Sequence, residues 1–322
     1  MIREMTKNTS LGVEIGIGDD AALFHFSSGE VILSIDSFFE GVHFELSTHT
    51  PRDIGWKAVA ASLSDIAAMG GEPLCAMIAL SFPSSPDAEF VRSIFSGAIE
   101  CLESFNSSLV GGDITEGKTL GLTVSVVGTP TPAGVVRRSG SMKGDVIGVT
   151  GTIGDSAAGL KILKSGKDTL RLNYPRLVES HLRPKPKFAE GVILARMGAT
   201  AMEDISDGLA SDMKNICIES GLGCEIDQNS IPLSEEAISF ARTIKEDPYR
   251  WALVGGEDYE LLFTCSFGDF KEVEREFGQI GKRVTCIGRM VEGKERKLIT
   301  SDGVEELGEG YEHFVNGRKD CT

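Results

Sequence analysis

Six short phrases carry most of the side chains able to do chemistry in this chain: GIGDD at 16–20, SID at 34–36, LSD at 63–65, GGD at 111–113, DISDG at 204–208 and GGED at 255–258. Each sets a carboxylate beside glycine or serine. One such phrase is ordinary turn chemistry. Six of them, spread over 322 residues, predict carboxylates that converge on one site. A dense carboxylate site repels itself unless cations occupy it. Hard divalent cations with oxygen ligands, set against a polyphosphate, are its natural occupants. The expectation is a metal-dependent enzyme acting on phosphate.

Asp65 is the sharpest single residue. The stretch 51–69 has helical periodicity, and Ala58, Ala61 and Ala68 share a face with Asp65. An unpaired ionised carboxylate among such neighbours is costly; the alternative is a flank position that reaches water or caps a loop. Asp19 and Asp20 follow Gly16, Ile17 and Gly18, which also reads as a plain Gly-Asp turn. Ser34 and Asp36 sit two apart at a strand end and share its face. Gly111, Gly112 and Asp113 follow the apolar pair Leu109-Val110, as at the strand-to-glycine turns where open sheets bind ligands. Asp204 and Ser206 are expected on one strand face, while Ser206 or Asp207 suits the N-cap of a helix beginning near 208. Arg137 and Arg138, in a Gly/Ser-containing loop, are the positive counterweight. The chain has no G-x-x-x-x-G-K-[ST] phosphate loop and no protein-kinase H-R-D or D-F-G set, so any phosphoryl transfer uses a different scaffold.

The elements that must position these residues alternate. Strands are predicted at 31–35, 74–80, 120–127, 146–149, 260–265 and 284–288, and helices at 51–69, 87–105, 154–164, 186–197, 208–220 and 268–278. This is a mixed α/β (α+β) pattern. The length favours two domains, and the Pro-, Gly- and Arg-rich stretch 130–144 is the candidate boundary, giving 1–138 and 139–322. A second stretch near 165–186 reads as loop, with Pro184 and Pro186 ending one helix and permitting the next.

Bulk composition narrows the class. A net charge of −16 excludes the basic footprint of a nucleic-acid binder, and it requires cations before a nucleotide can approach. Seven cysteines, with no C-x-x-C, fit reduced thiols and not a disulfide frame or zinc site. No apolar stretch approaches the ~18 residues that span a bilayer, and MIREMTKNTS lacks a signal core, so the expectation is cytoplasmic, without membrane partners.

Taken in order, the phrases GIGDDAAL (16–23), EGVHF (40–44), WKAVAASLSDIAAMG (56–70), GGD (111–113), RRSG (137–140), VTGTIGDSAAGL (149–160), HLRPKP (181–186), DISDGLASD (204–212), GGEDYELLFT (255–264) and GYEHF (310–314) resemble the thiamine-monophosphate kinase family. The resemblance implies the two-domain fold of the aminoimidazole ribonucleotide synthetase superfamily. It implies transfer of phosphate from ATP to thiamine monophosphate, giving thiamine diphosphate, with several Mg²⁺ ions and a homodimer joined through the N-terminal halves. Carried over residue by residue, it implies metal binding by Asp20, Asp36, Asp65, Asp113 and Asp204, with Ser34 and Asp207 at further metal positions. It implies nucleotide contacts from Gly112, Asp113, Arg138 and Ser206, and acceptor contacts from His43, Glu257 and Tyr311. One departure is Ile35, where family members often carry Thr, so a side-chain oxygen is lost there. Among competing readings, selenophosphate synthetases carry a reactive cysteine or selenocysteine near the N-terminus, whereas the first cysteine here is Cys75. A synthetase that phosphorylates an amide oxygen remains open on the metal phrases alone. A non-catalytic acidic module explains the charge but not six Gly/Asp phrases. A phosphate acceptor needs no general base, and none is evident.

Overall fold

The apolar runs of the sequence become the inner strands of two sheets. The computed structural model describes residues 13–15, 19–27 and 29–310. The first sheet contains β1 (Val13–Ile15), β2 (Ala22–Phe26), β3 (Gly29–Phe39), β4 (Gly71–Phe82), β5 (Ser108–Glu116) and β6 (Gly121–Pro130), in the order β1-β2-β3-β6-β4-β5. Neighbours are antiparallel except β4 and β5, which are parallel. Helix α1 (Pro51–Ala68) links β3 to β4, and α2 (Ala88–Ser104) links β4 to β5. Both pack into one core with Ile32 and Phe38 of β3, Ile78 and Leu80 of β4 and Val124 and Val126 of β6. Strand alternation leaves the other face of this sheet bare: Ile35, Phe39 and Met77 point away from the helices and are exposed.

The second sheet contains β7 (Val146–Thr150), β8 (Ala201–Asp204), β9 (Gly223–Asp227), β10 (Leu261–Cys265), β11 (Val284–Val291), β12 (Arg296–Thr300) and β13 (Gly303–Glu306), in the order β13-β12-β9-β11-β7-β10-β8. The helices of this half are α3 (Asp155–Lys164), α4 (Asp168–Asn173), α5 (Pro175–Leu182), α6 (Phe188–Arg196), α7 (Leu209–Ser220), α8 (Glu235–Ile244), α9 (Pro248–Val254) and α10 (Phe267–Gln279). Both faces of this sheet are covered. Leu262 and Ile147 join a core with Met213 and Ile216 of α7, whereas Leu261 and Phe263 join Leu194 of α6 and Phe277 of α10. That is why LLFTC reads as a near-continuous apolar run.

Helix α1 is the spine between the halves. Thr50 caps it, Pro51 occupies its first turn, and Asp53 closes a capping box onto the Thr50 backbone at 3.2 Å. It has little amphipathic contrast because it is buried nearly all round, packed on β3, β4 and β6 on one side and on α6 and β8 on the other. Its crossing with α2 is close: a Cβ on Gly55 would stand 1.9 Å from the Ile94 carbonyl oxygen, and one on Gly97 would stand 1.8 Å from that of Arg52.

The stretch near 165–186 is not a loop. It holds α4 and α5, with Pro175 in the first turn of α5 and the chain leaving that helix before Pro184. No helix among the described residues is long and apolar enough to cross a membrane.

Candidate active site

The carboxylates meet where β3, the last turns of α1 and the end of β8 come together. Ser34 and Asp36 project from the inner face of β3, Asp65 lies near the C-terminal end of α1, Asp204 closes β8, and Asp20 sits in the segment before β2. Carboxylate oxygens of Asp20, Asp65 and Asp204 all lie within 4.8 Å of one another. The Ser34 hydroxyl donates to Asp65 Oδ2 and stands 3.4 Å from the Asp20 carbonyl. Asp36, Asp65 and Asp204 line a cavity of about 470 Å³ together with Ser206, Asp207, His43 and Glu257.

The cluster strains its own ionisation. Burial first, then repulsion from Asp36, Asp204 and Asp20, holds the Asp65 carboxyl well above the usual carboxylate range. Burial, with the Asp20 charge behind it, pushes Asp204 up to about 7. Burial likewise raises Asp20 and Asp36. Among the described residues, Arg138 opposes this: its Nη2 is 2.7 Å from Asp20 Oδ1 and 2.9 Å from Glu203 Oε1. It does not satisfy the cluster, since Asp20 Oδ2 is buried with no partner. Converging anionic oxygens, a serine hydroxyl and an orphaned buried oxygen are the donor set that a hard divalent cation takes. The residues present fit such an ion.

The other predicted residues divide. Ser206 and Asp207 line the cavity, but β8 stops at Asp204, so Ser206 is not on its face. The N-cap of α7 is Gly208 at φ 100°, without a side-chain cap, so neither Ser206 nor Asp207 caps that helix. The Asp207 backbone N–H instead donates to Asp212 Oδ2 at 3.3 Å. His43 Nδ1 accepts from the Phe39 backbone N–H at 3.1 Å, which leaves Nε2 as the donor of the neutral ring. Asp19 ties the arginine loop down, accepting from the Arg138 backbone N–H at 2.6 Å, and Arg137 pairs with exposed Glu14 at 3.2 Å. Tyr311 lies outside the described residues.

Gly112 and Asp113 do not join the cluster within one chain. Asp113 is exposed on β5 and pairs with Ala79, which pairs with Thr123, which pairs with Ser37 on the outer face; Asp36 belongs to the inner row through Val124, Ile78 and Gly112. Asp113 is therefore three strand spacings away, about 14 Å, and on the opposite face. Gly112 has a packing reason of its own, since a Cβ there would stand 2.0 Å from the Ile78 carbonyl oxygen. Ile35 also faces outward, 64% exposed.

Residues 18–130 match the N-terminal domain of AIR synthase related proteins and residues 142–301 match the C-terminal domain of the same family. Thiamine-monophosphate kinase of Escherichia coli O157:H7 is 38% identical over 318 residues, covering 97% of this chain and 95% of that protein. The chain belongs to the thiamine-monophosphate kinase family. The Bacillus subtilis (strain 168) member is 34% identical, covering 94% of each chain. The solved structure of AaThiL complexed with AMPPCP and TMP superposes with a TM-score of 0.86 at 34% identity, covering 97% of this chain and 94% of that one. The HypE–HypF complex, at 20% identity and a TM-score of 0.70, shares the fold.

Four buried titratable residues border the site without having been singled out individually in the sequence, although Lys57, His181 and Asp212 lie within the phrases that mark the family. Glu203 and Asp212 each keep one oxygen without a partner, and burial holds both carboxyls well above the usual range. Lys57 and His181 meet beside the cavity. The visible signal for Lys57 was a lone lysine inside the small-residue helix that carries Asp65; His181 opens the phrase HLRPKP, which was read for its prolines and not for its ring.

Proposed function

We propose that this protein phosphorylates thiamine monophosphate to thiamine diphosphate with ATP. The observation that carries this reading is one cavity lined by Asp36, Asp65 and Asp204, the last two clustered with buried Asp20 and its orphaned oxygen, and lined also by His43 and Glu257. AaThiL complexed with AMPPCP, which carries a methylene in place of the β–γ bridging oxygen of ATP, and with TMP supports the pairing of substrates.

Asp20, Asp36, Asp65 and Asp204, with Ser34 and Asp207 at the margin, would hold several Mg²⁺ ions, which supply the charge neutralisation that two polyanions need to approach one another. The acceptor phosphate oxygen attacks the γ-phosphorus in line, the bond from that phosphorus to the bridging oxygen breaks, and ADP leaves. The nucleophile is already an anion, so alignment replaces a general base. Arg138 and Ser206 contact the nucleotide. His43 Nε2–H donates to the acceptor phosphate, while Glu257 and Tyr311 hold the heterocyclic part of thiamine.

The bare face of the first sheet supports a homodimer through the N-terminal halves, with the domain boundary between Arg138 and Ser139. Gly112 and Asp113 then serve a nucleotide or metal site only when a second copy presents its own cavity to β5. A coupled ADP-release assay with a panel of acceptors tests the reading. ADP should appear with thiamine monophosphate and not with purine-pathway intermediates; release driven equally by the latter would mark a synthetase of the same fold.

A further inference from the structure

Lys57 is the largest charged side chain sealed inside the protein among the described residues, 2% exposed, and it sits on α1 between the two halves. Its ammonium is fully engaged. Nζ is 2.9 Å from Glu257 Oε1 and 3.0 Å from Oε2. It donates to the His43 carbonyl at 3.2 Å and meets His181 Nε2 at 3.2 Å. An ammonium only donates, so His181 Nε2 must accept, and the ring proton sits on Nδ1, 3.0 Å from Ser156 Oγ and 3.5 Å from Glu257 Oε2. Burial, and then the Lys57 charge, holds His181 well below the ordinary histidine range, in keeping with a neutral ring.

The Glu257 backbone is held as firmly as its side chain. Glu257 and Tyr259 have φ of 59° and 51°, beside Gly256 at 65°. A non-glycine residue stays in this region only where its surroundings impose it. Here Glu257 N–H donates to the Ser206 carbonyl at 2.7 Å and Tyr259 N–H to that of Ile205 at 2.9 Å. The carboxylate remains 24% exposed and opens onto the cavity that His43 also lines. Paired with an ammonium, it presents no net charge there. It presents fixed lone pairs, which recognise an N–H donor by direction and not a cation by attraction.

We propose that Lys57 is a positioning residue for acceptor recognition: its ammonium, braced by the His43 carbonyl and the His181 ring, fixes the Glu257 carboxylate to accept a hydrogen bond from the pyrimidine amine of thiamine monophosphate. This rests on Glu257 contacting the acceptor, and the experiment separates the two claims. Steady-state kinetics of the full-length protein are measured for Lys57→Met, Glu257→Gln and the double variant, with thiamine monophosphate and with the analogue bearing a hydroxyl in place of the amine. Lys57→Met should raise the acceptor KM about tenfold or more, the scale of one charge-assisted hydrogen bond. The KM for ATP should stay within about twofold. Discrimination against the hydroxyl analogue should collapse, and the double variant should be no worse than Glu257→Gln alone. If Glu257→Gln raises the acceptor KM while Lys57→Met leaves both KM and discrimination unchanged, the positioning role is wrong and the acceptor reading stands. If Glu257→Gln itself leaves the acceptor KM unchanged, the acceptor reading falls first. Should Lys57→Met fail to fold, His181→Leu leaves the ion pair whole but unbraced; it should raise the acceptor KM alone, and an unchanged value overturns the proposal.

Discussion

At the scale of single residues, the site is a store of repulsion that a bound cation would relieve. Asp65 stands at its centre, pushed up by burial and by three neighbouring carboxylates. Asp65→Asn keeps the shape and removes the charge. Turnover should fall below about a tenth of wild type, the change equivalent to about 1.4 kcal/mol of transition-state stabilisation. The metal-free protein should melt at the same temperature or higher, because repulsion is lost. A variant that kept its rate would remove Asp65 from the metal site. The same carboxylates set a pH dependence. Asp204 titrates at about 7 in the folded chain against 3.8 for the ordinary side chain. Between those values the folded state holds protons that the unfolded chain has released, so metal-free stability falls as pH rises through the window. Mg²⁺ competes with those protons. Its thermal stabilisation should therefore be larger at about pH 8 than at about pH 5.5. Equal shifts in Tm at both would show that the ion binds elsewhere.

At the scale of elements, α1 carries the argument. Its span and the Ala face around Asp65 were legible as helix, because periodicity is a local signal, whereas the Thr50–Asp53 capping box that starts it came from the structure. The strand β5 was not. SLVGGDITE reads as a turn at Gly111-Gly112, and only the close approach of Gly112 to the Ile78 carbonyl shows why two glycines suit a strand there. Helix α5 was missed for the opposite reason: it is short, and its partners, Gly159 among them, are remote in sequence. Four of the six acidic phrases line one cavity and a fifth, GIGDD, joins its carboxylates through Asp20, but the face on which GGD lies depends on register, which short phrases do not carry. The α1–α2 crossing makes a sharp test of packing. Gly97→Ala places a methyl against the Arg52 carbonyl and should destabilise the protein by about 1–3 kcal/mol, read from urea unfolding. A neutral effect would mean that the two helices are free to move apart.

At the scale of the whole molecule, a net charge of −16 and a bare apolar sheet face ask for cations and for a second copy. Ile35, Met77 and Val110 are 64%, 46% and 61% exposed on strands of the first sheet, an unusual display for a monomer's surface. Sedimentation should show a dimer, and Ile35→Glu with Met77→Glu should give a folded monomer with little turnover, since Asp113 would then serve no site. A fully active wild-type monomer would end the role given to Asp113. The central claim is that cations held by the buried carboxylates let an acidic protein bind a polyanion. Titration calorimetry with ATP tests it most directly: heat of binding should be absent in EDTA, clear in Mg²⁺ and lost again in Asp65→Asn. Equal ATP affinity with and without Mg²⁺ would contradict it, leaving Arg137 and Arg138 to carry the phosphates alone.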